Sequence, residues 1–204
     1  MSFWSVPRLW PGATVAILAS GPSMNQAVAD RVRAAGLPAI AINDTYQLAP
    51  WADMLYAADE AWWNRYPEAL AFAGLKVSVG TIKGVLRLQN TGVSGFDPDP
   101  ACVRTGSNSG YQALHIAVHA GARRILLCGM NMAGRHWFGG HPQGLANTSD
   151  ALYERFRRNF GLLAPVLKAM DVDVVNVTPF SMLTCFRTAE LADELTFTGA
   201  SNHV

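Results

Sequence analysis

Charge and cysteine are both scarce in this sequence of 204 residues. Charged residues make up 15% of the chain and the formal net charge is +1, so the basic excess of a nucleic-acid-binding domain is missing. We therefore expect no nucleic-acid partner. The three cysteines, Cys102, Cys128 and Cys185, are odd in number and lack metal-ligand spacing. This usage argues against a disulfide framework and is typical of a reducing compartment.

Long apolar runs are also missing. No stretch approaches the roughly 18 apolar residues that a membrane-spanning helix needs. Residues 1–12 lack the charged start and apolar stretch of a signal peptide. We therefore expect a cytoplasmic protein without a membrane span. Half of the residues are hydrophobic, which excludes extensive disorder and supplies the material for a core.

Apolar runs of strand length alternate with helical patterns. The run over 13–19 is continuously apolar, as in a strand buried on both faces of a parallel sheet. A helix is predicted over 26–35, and further strands over 39–42 and 54–58. This order indicates βαβ units with right-handed crossovers. We predict a single α/β domain over 1–204, with a Rossmann-like three-layer fold: a mostly parallel central sheet and helices on both faces.

The rest of the chain continues this alternation less regularly. We predict strands at 76–79, 85–89, 125–128 and 172–177, helices at 111–120, 150–170 and 188–195, and a loop at 91–100. Residues 129–149 form a long irregular segment between a strand and a helix. Such loops are uncommon inside compact domains and are often lids or binding loops. We therefore predict an active-site loop at about 129–149.

Three turns are candidates for nucleotide binding. Gly21-Pro22-Ser23 leads from the first strand into its helix, where backbone N–H groups favour phosphate. Asn43-Asp44 ends the second strand, close to the offset of about 20 residues at which Rossmann domains place a polar group on ribose. Asn108-Ser109-Gly110 begins a helix and presents further donors. A plain turn, an Asx turn and a helix cap stay open as alternatives.

Histidines form the other candidate sites. His136 and His141, on the long loop, are suited to general-base catalysis or metal binding. No cysteine or paired carboxylate joins them, so we assign no metal site, and surface histidines remain an alternative. His115 and His119 lie one helical turn apart but lack the glutamate of a metalloprotease helix, which favours a packing role.

Five segments together resemble known families. They are Ile17-Leu-Ala-Ser-Gly-Pro-Ser-Met24, Ala41-Ile-Asn43, the stretch from Asn108-Ser-Gly-Tyr111 to Gly121, Ile125-Leu-Leu-Cys-Gly-Met-Asn131, and Val175-Asn-Val-Thr-Pro-Phe-Ser-Met-Leu-Thr-Cys-Phe186. The pattern resembles the bacterial lipooligosaccharide sialyltransferases and the domain of unknown function that includes the archaeal hydroxymethyldihydropterin pyrophosphokinases. It is also similar to small uncharacterised phage and prophage proteins, and a phage-encoded chain would work in the cytoplasm of a bacterial host.

The resemblance implies a cytidine-nucleotide site. Gly21, Pro22, Ser23 and Asn43 would lie by the phosphate and ribose, Ser109 and Gly110 would hold the phosphate or base, and Gly129 would line the base pocket. Asp44, Asn108 and Asn131 complete the nucleotide-binding candidates. His141 would be the catalytic base, with His136 as second choice. The sequence departs from the sialyltransferase pattern at Asn131, where an acidic residue is usual, and at Met132 and Ala133, near the family's tyrosines.

These features predict a nucleotide-donor-dependent transferase, most simply a sialyltransferase-like glycosyltransferase with a nucleotide sugar as donor and no firmly implied cofactor. One alternative is a nucleotide-binding or phage assembly and interaction protein without catalysis. Another is a pyrophosphokinase, in which Asp44 and Asp59 would hold Mg²⁺. Aromatic residues at Trp4, Trp10, Trp137 and Phe138 leave a homo-oligomer open.

Overall fold

Within the residues that the structure describes, the chain forms ten strands, all of them paired in parallel. They are β1 Thr14–Leu18, β2 Ala39–Ile42, β3 Met54–Tyr56, β4 Leu75–Ser78, β5 Leu86–Arg87, β6 Gln89–Asn90, β7 Cys102–Val103, β8 Arg124–Cys128, β9 Asp173–Asn176 and β10 Arg187–Thr188. The computed structural model describes residues 3–140, 145 and 147–199. Eight of these strands form one parallel sheet in the order β10-β9-β8-β1-β2-β3-β4-β5, and β6 pairs with β7 apart from it.

Helices cover both faces of the large sheet. They are α1 Gln26–Ala34, α2 Glu60–Arg65, α3 Ser109–His119, α4 Asp150–Ala169 and α5 Leu191–Gly199, with 3₁₀ turns at Asn43–Gln47 and Pro67–Ala71. Alternate residues of β1 pack against the helix layers on opposite faces of the sheet. Val15 and Ile17 pack with α3 and α4, while Ala16 and Leu18 pack with α1 and α2. The predicted Rossmann-like α/β architecture is confirmed.

The strand order places a crevice beside β1. From β1 the chain adds β2, β3, β4 and β5 on one side, and then crosses to place β8 on the other. Connections on the two sides therefore leave the sheet in opposite directions. In open α/β sheets, ligands bind at this reversal, outside the carboxyl ends of the strands.

Most predicted elements agree with the structure to within two residues. Helix α3 begins earlier, at Ser109, because Asn108 caps it. The short pair β6 and β7 borders the predicted loop and was not expected. The last helix begins later than predicted, at Leu191, because Arg187 and Thr188 pair with β9 instead.

Two tryptophans and one histidine belong to the core. Trp62 and Trp63 are buried, and His115 is fully buried and stacked on Phe96, with ring centroids 4.8 Å apart. Of the aromatic residues Trp4, Trp10, Trp137 and Phe138, Trp10 is the buried one, at 9% exposed. Each of the other three named aromatics is partly buried, because the leading segment packs on the sheet and the long loop packs on its carboxyl edge.

Helices that could cross a bilayer are not found in the described part of the chain.

Candidate functional site

A crevice of about 290 Å³ opens at the carboxyl ends of the central strands. The ends of β1, β2, β3 and β8, the start of α3 and the first turns of α4 form its walls. Its lining comprises residues 19–21, 42–43, 59, 107–110, 129–133, 136, 148, 152–153 and 156. The crevice therefore lies where the strand order reverses, which is the position at which this class of sheet binds ligands.

Most of the predicted site residues meet in this crevice. Those that line it are Gly21, Asn43, Asn108, Ser109, Gly110, Gly129, Asn131 and His136. Pro22, Ser23 and Asp44 do not line it. His141 falls outside the residues that the structure describes.

The N–H groups of the turn after β1 donate to other parts of the same chain. The Gly21 N–H donates to the Gly129 carbonyl (2.8 Å) and the Ser23 N–H to Asn131 Oδ1 (3.2 Å), while Pro22 has no N–H. Helix α1 begins only at Gln26. The phosphate cradle that Gly21-Pro22-Ser23 predicts is therefore not offered by this turn, because its N–H groups already have protein acceptors.

Glycine at position 21 is required by the close approach of β1 and β8. A Cβ there would lie 2.3 Å from the Gly129 carbonyl oxygen and 2.4 Å from Asn131 Oδ1. Real Cβ atoms do not approach other atoms so closely. Gly21 therefore serves the packing of the crevice wall, whatever the crevice binds.

The carboxylate that reaches the crevice is Asp59, not Asp44. The Asp44 side chain is 4% exposed and accepts a hydrogen bond from the Trp62 indole N–H (2.9 Å). Asp59 follows β3 and precedes α2, which brings it to the same sheet edge as Asn43. Asp44 is thus a structural residue that anchors a core tryptophan.

The start of α3 presents hydrogen-bond donors to the crevice. Asn108 Oδ1 accepts from the N–H groups of Gly110 (2.8 Å) and Tyr111 (3.3 Å), as a helix cap does. No acceptor for the Ser109 N–H occurs within the described ranges. The helix dipole adds partial positive charge at this end. An anion in the crevice would therefore find both a free donor and a favourable field here.

Buried side chains from three elements hold the turn that precedes α3. Gln112 Nε2 donates to the Thr105 carbonyl (3.1 Å), and Asn159 Nδ2 from α4 donates to the Gly106 carbonyl (2.9 Å). The Tyr56 hydroxyl of β3 donates in turn to Gln112 Oε1. These bonds keep Ser107 in a left-handed conformation, with φ of 58°. The donors at this wall are thus held before any ligand arrives.

His136 is fixed at the crevice by the backbone of β1's last turn. The Ser20 carbonyl accepts from His136 Nδ1 (3.2 Å) and from the Trp137 N–H (3.1 Å), and the imidazole stacks on Phe138 with an interplanar angle of 9°. A neutral imidazole that donates from Nδ1 carries its basic lone pair on Nε2. The contact with the Ser20 carbonyl therefore favours the Nδ1–H tautomer, in which Nε2 is the proton acceptor.

An apolar wall faces the polar one, and the sequence did not single it out. Leu152, Tyr153 and Phe156, at the start of α4, join Met130 and Met132 there. The spacing of the α4 residues is typical of a helix face packed on a core. The Tyr153 hydroxyl donates to the Gly134 carbonyl (3.0 Å). The crevice thus has a polar side and an apolar side that includes an aromatic ring.

Few ionisable side chains face the crevice. Within the described residues its lining contains the Asp59 carboxylate and the His136 imidazole, but no lysine or arginine. The same part of the chain holds no group of three or more histidine, cysteine or carboxylate side chains placed to bind a metal. Backbone N–H groups and amide side chains therefore supply most of its polar contacts.

Comparisons with known proteins show a similarity of fold and no similarity of sequence. No protein-family profile and no curated protein sequence matches the chain. Among solved structures it is similar to a MAf glycosyltransferase from Magnetospirillum magneticum AMB-1, at 13% identity and a TM-score of 0.63. The match covers 98% of this chain and 39% of that protein, so this chain spans well under half of the larger enzyme. At this identity the likeness shows a shared fold.

Proposed function

We propose that the protein is a glycosyltransferase that binds a nucleotide sugar in the crevice beside β1. The observation that carries the proposal is the two-sided crevice at the point where the strand order reverses. A nucleotide has a flat apolar base at one end and a charged, hydroxylated sugar phosphate at the other. The fold likeness to a MAf glycosyltransferase supports the proposal at the level of architecture.

The start of α3 would hold the phosphate in this proposal. The free Ser109 N–H and the helix dipole favour an anion. They would be the main source of positive potential, because no lysine or arginine lines the described crevice. A helix N-terminus carries roughly half a positive charge, which offsets one phosphate better than two. A donor with a single phosphate therefore fits this wall best. In this proposal Asn43, after β2, contacts a ribose hydroxyl and Tyr153 contacts the base; both residues line the crevice.

The base that activates the acceptor would be a histidine of the long loop. His136 is the candidate that lines the described crevice, and His141 is the alternative. His136 Nε2 takes the proton of an acceptor hydroxyl, whose oxygen attacks the anomeric carbon of the donor. The bond from that carbon to the phosphate oxygen breaks, and the nucleotide leaves with the bonding electrons. General-base catalysis of this kind contributes about 10²–10⁴-fold.

The position of Asp59 in the crevice lining favours a second function, pyrophosphoryl transfer. Pyrophosphoryl transfer from ATP needs Mg²⁺ held by carboxylates, and Asp59 is the carboxylate of the described crevice lining. Because a single carboxylate binds Mg²⁺ weakly, we rank this function lower. A nucleotide-binding or assembly protein without catalysis is the third candidate, and only turnover separates it from the first.

Thermal unfolding with CMP, UDP, GDP, ADP, ATP and CMP-sialic acid, with and without Mg²⁺, tests the proposal. Ligand at ~100 times its Kd adds about 2.7 kcal/mol of stability, which raises the melting temperature by several degrees. We expect a selective shift that does not need Mg²⁺, followed by release of nucleotide from the bound donor. A shift seen only with ATP and Mg²⁺ would favour the pyrophosphokinase. No shift with any nucleotide would overturn nucleotide binding.

A further inference from the structure

One aromatic side chain is fully exposed beside the crevice. Phe180, in the loop that follows β9, is 99% exposed, and Met182 in the same loop is 52% exposed. Exposed apolar side chains that lie singly are normal and need no explanation. Phe180 differs because its backbone is also left-handed, with φ of 54°. A side chain other than glycine adopts this conformation at a cost in free energy, and the exposed ring gains no packing that would offset the cost.

Hydrogen bonds hold this loop against the wall of the crevice. The Pro179 carbonyl accepts from Asn131 Nδ2 (3.2 Å). The Ser181 hydroxyl donates to the Met130 carbonyl (2.7 Å). Met130 and Asn131 both line the crevice. Phe180 therefore lies between two residues that are fixed to the crevice wall, and the fold sets its place beside the site.

Left-handed conformations of residues other than glycine cluster around the crevice. Asn43, Ser107 and Met132 have φ of 48°, 58° and 55°, and all three line it. In the described part of the chain, Phe180 and Asp171 are the other two residues of this kind. Strained backbone concentrates at active sites and ligand clamps. Phe180 therefore groups with the crevice lining rather than with the remaining surface.

The exposed surface of this loop is too small and too neutral for a macromolecular partner. A phenylalanine side chain buries about 150–250 Å², whereas a stable protein interface buries about 800 Å² on each partner. Residues 177–186 include no charged side chain, so the loop lacks the basic groups that usually accompany an apolar membrane contact. The size and neutrality of the surface favour one small uncharged ring.

A sugar ring has the required properties. One face of a pyranose consists largely of C–H groups, which pack on the negative face of an aromatic ring while the hydroxyl groups stay in water. Strands β1 and β9 lie on either side of β8, so their carboxyl ends are about 10 Å apart. His136 is held at Ser20, after β1, whereas Phe180 follows β9. A hydroxyl at His136 and a ring on Phe180 therefore fit neighbouring sugars of one molecule.

From these features we propose that Phe180 binds the acceptor of the proposed glycosyltransferase, and that this acceptor is a neutral oligosaccharide. The terminal sugar presents its hydroxyl to His136, and the face of the next sugar packs on the Phe180 ring. Phe180 positions the acceptor and takes no part in the bonds that form or break. The inference rests on the proposed function, because a sugar held beside the crevice is an acceptor only if the crevice holds a donor.

NMR titration of the full chain with lactose, maltose, cellobiose and chitobiose, in the absence of nucleotide, tests the site. We expect binding of at least one disaccharide, which Phe180→Ala weakens by roughly two- to tenfold, the usual effect of an aromatic contact. Phe180→Trp keeps a ring and should bind at least as tightly as the wild type. Phe180→Gly should lose sugar binding but keep or raise the melting temperature, because glycine adopts the left-handed backbone freely.

Phe3→Ala is the matched control. Phe3 is 40% exposed, and Arg87 of β5 lies over its ring at the opposite edge of the sheet. This variant should bind sugars like the wild type. Equal sugar binding by Phe180→Ala and wild type would overturn the proposal, as would a wild type that binds none of the four disaccharides. A lower melting temperature in Phe180→Gly would show that the fold needs the ring, and would also overturn it.

Three further measurements in Phe180→Ala identify other occupants of the ring. Loss of binding to phosphatidylcholine vesicles would assign it to a lipid surface, and loss of a wild-type dimer in light scattering would assign it to a second copy of the chain. Weaker nucleotide binding would assign it to the donor. Each of these results overturns the acceptor site.

Failure of this proposal is distinct from failure of the proposed function. Nucleotide binding together with sugar binding that does not depend on Phe180 overturns the acceptor site alone. Sugar binding that depends on Phe180, without a stability shift from any nucleotide, keeps the sugar site and overturns the transferase.

Discussion

Asn131 and Ser23 are joined by two hydrogen bonds across 108 positions of sequence. Asn131 Oδ1 accepts from the Ser23 N–H (3.2 Å) and from its hydroxyl (2.7 Å), while Asn131 Nδ2 donates to the Pro179 carbonyl (3.2 Å). One amide thus ties together the loops that follow β1, β8 and β9. A carboxylate could accept from Ser23 but could not donate to Pro179. Asparagine at this position therefore has a structural reason that is independent of any ligand.

The Asn131 contacts predict a ranked loss of stability. Ser23→Ala removes one of two bonds to Oδ1 and should lower the free energy of unfolding by about 0.5–1.5 kcal/mol. Asn131→Asp should lower it by more, about 1–3 kcal/mol, because it sets a buried carboxylate against the Pro179 carbonyl. Urea unfolding measures both. Ser5→Ala, at an exposed serine, is the control and should stay within about 0.5 kcal/mol of wild type. A Ser23→Ala loss no larger than the control's would contradict the role given to this contact.

Replacement of the loop histidines should separate catalysis from binding. His136→Ala should reduce turnover of a nucleotide-sugar donor by about 10²–10⁴-fold while donor affinity changes only a few-fold. His141→Ala, measured in parallel, identifies the base if His136 is not it. Steady-state rates and equilibrium titration of each variant supply the two readouts. If both single variants keep wild-type turnover, a histidine base has no place in the mechanism.

Tyr153 should contribute to nucleotide affinity through its ring. Stacking of a base on an aromatic side chain is worth about 1–3 kcal/mol, so Tyr153→Ala should weaken binding by roughly five- to 150-fold. Tyr153→Phe keeps the ring but loses the bond to the Gly134 carbonyl. It should bind close to wild type in a calorimetric titration. Equal losses in the two variants would instead assign the effect to the hydroxyl and the loop that it holds.

Burial of His115 should make stability depend on pH. Desolvation lowers the pKa of His115 from its ordinary 6.5 to about 4 in the folded protein. The unfolded chain therefore takes up the proton first. The stability that neutral His115 gives the folded protein is fully present above about pH 6.5. It falls by about 3 kcal/mol in total as the pH is lowered to about 4.

Unfolding in urea at several pH values measures this dependence. The His115 ring stacks on Phe96 and its Nδ1 contacts the Tyr111 carbonyl (3.3 Å), so His115→Phe keeps the packing, loses that contact and removes the titration. The variant should have a flatter stability profile between pH 6.5 and 4. A slope equal to that of the wild type would show that other groups cause the acid sensitivity.

The fold could be predicted because its signals are local. The strands of a parallel sheet are buried on both faces, so Val15 to Leu18 and Ala39 to Ile42 stand out as continuous apolar runs. The helix start at Asn108 likewise has a local cause, the side-chain cap. These features need no knowledge of distant residues.

The contacts of the site residues could not be predicted, because their partners are distant in the sequence. Asp44 and Asp59 both follow strands, but the 3₁₀ turn at Asn43–Gln47 brings the Asp44 carboxylate to Trp62, while Asp59 faces the crevice. Similarly, the donors of the Ser23 turn are taken by Asn131, far along the chain. The sequence therefore predicts which sheet edge a residue lies at more reliably than which contacts its side chain makes.

Calorimetric titration of two variants that each add one negative charge tests the central claim most directly. Ser109→Glu places a carboxylate at the first position of α3, which the helix dipole tolerates but which would repel a phosphate from that wall. Ser94→Glu makes the same change at an exposed loop position away from the crevice. With the nucleotide that stabilises the wild type, the account predicts that Ser109→Glu loses binding while Ser94→Glu keeps it. Wild-type affinity in Ser109→Glu would contradict phosphate binding at the start of α3, and with it the nucleotide site.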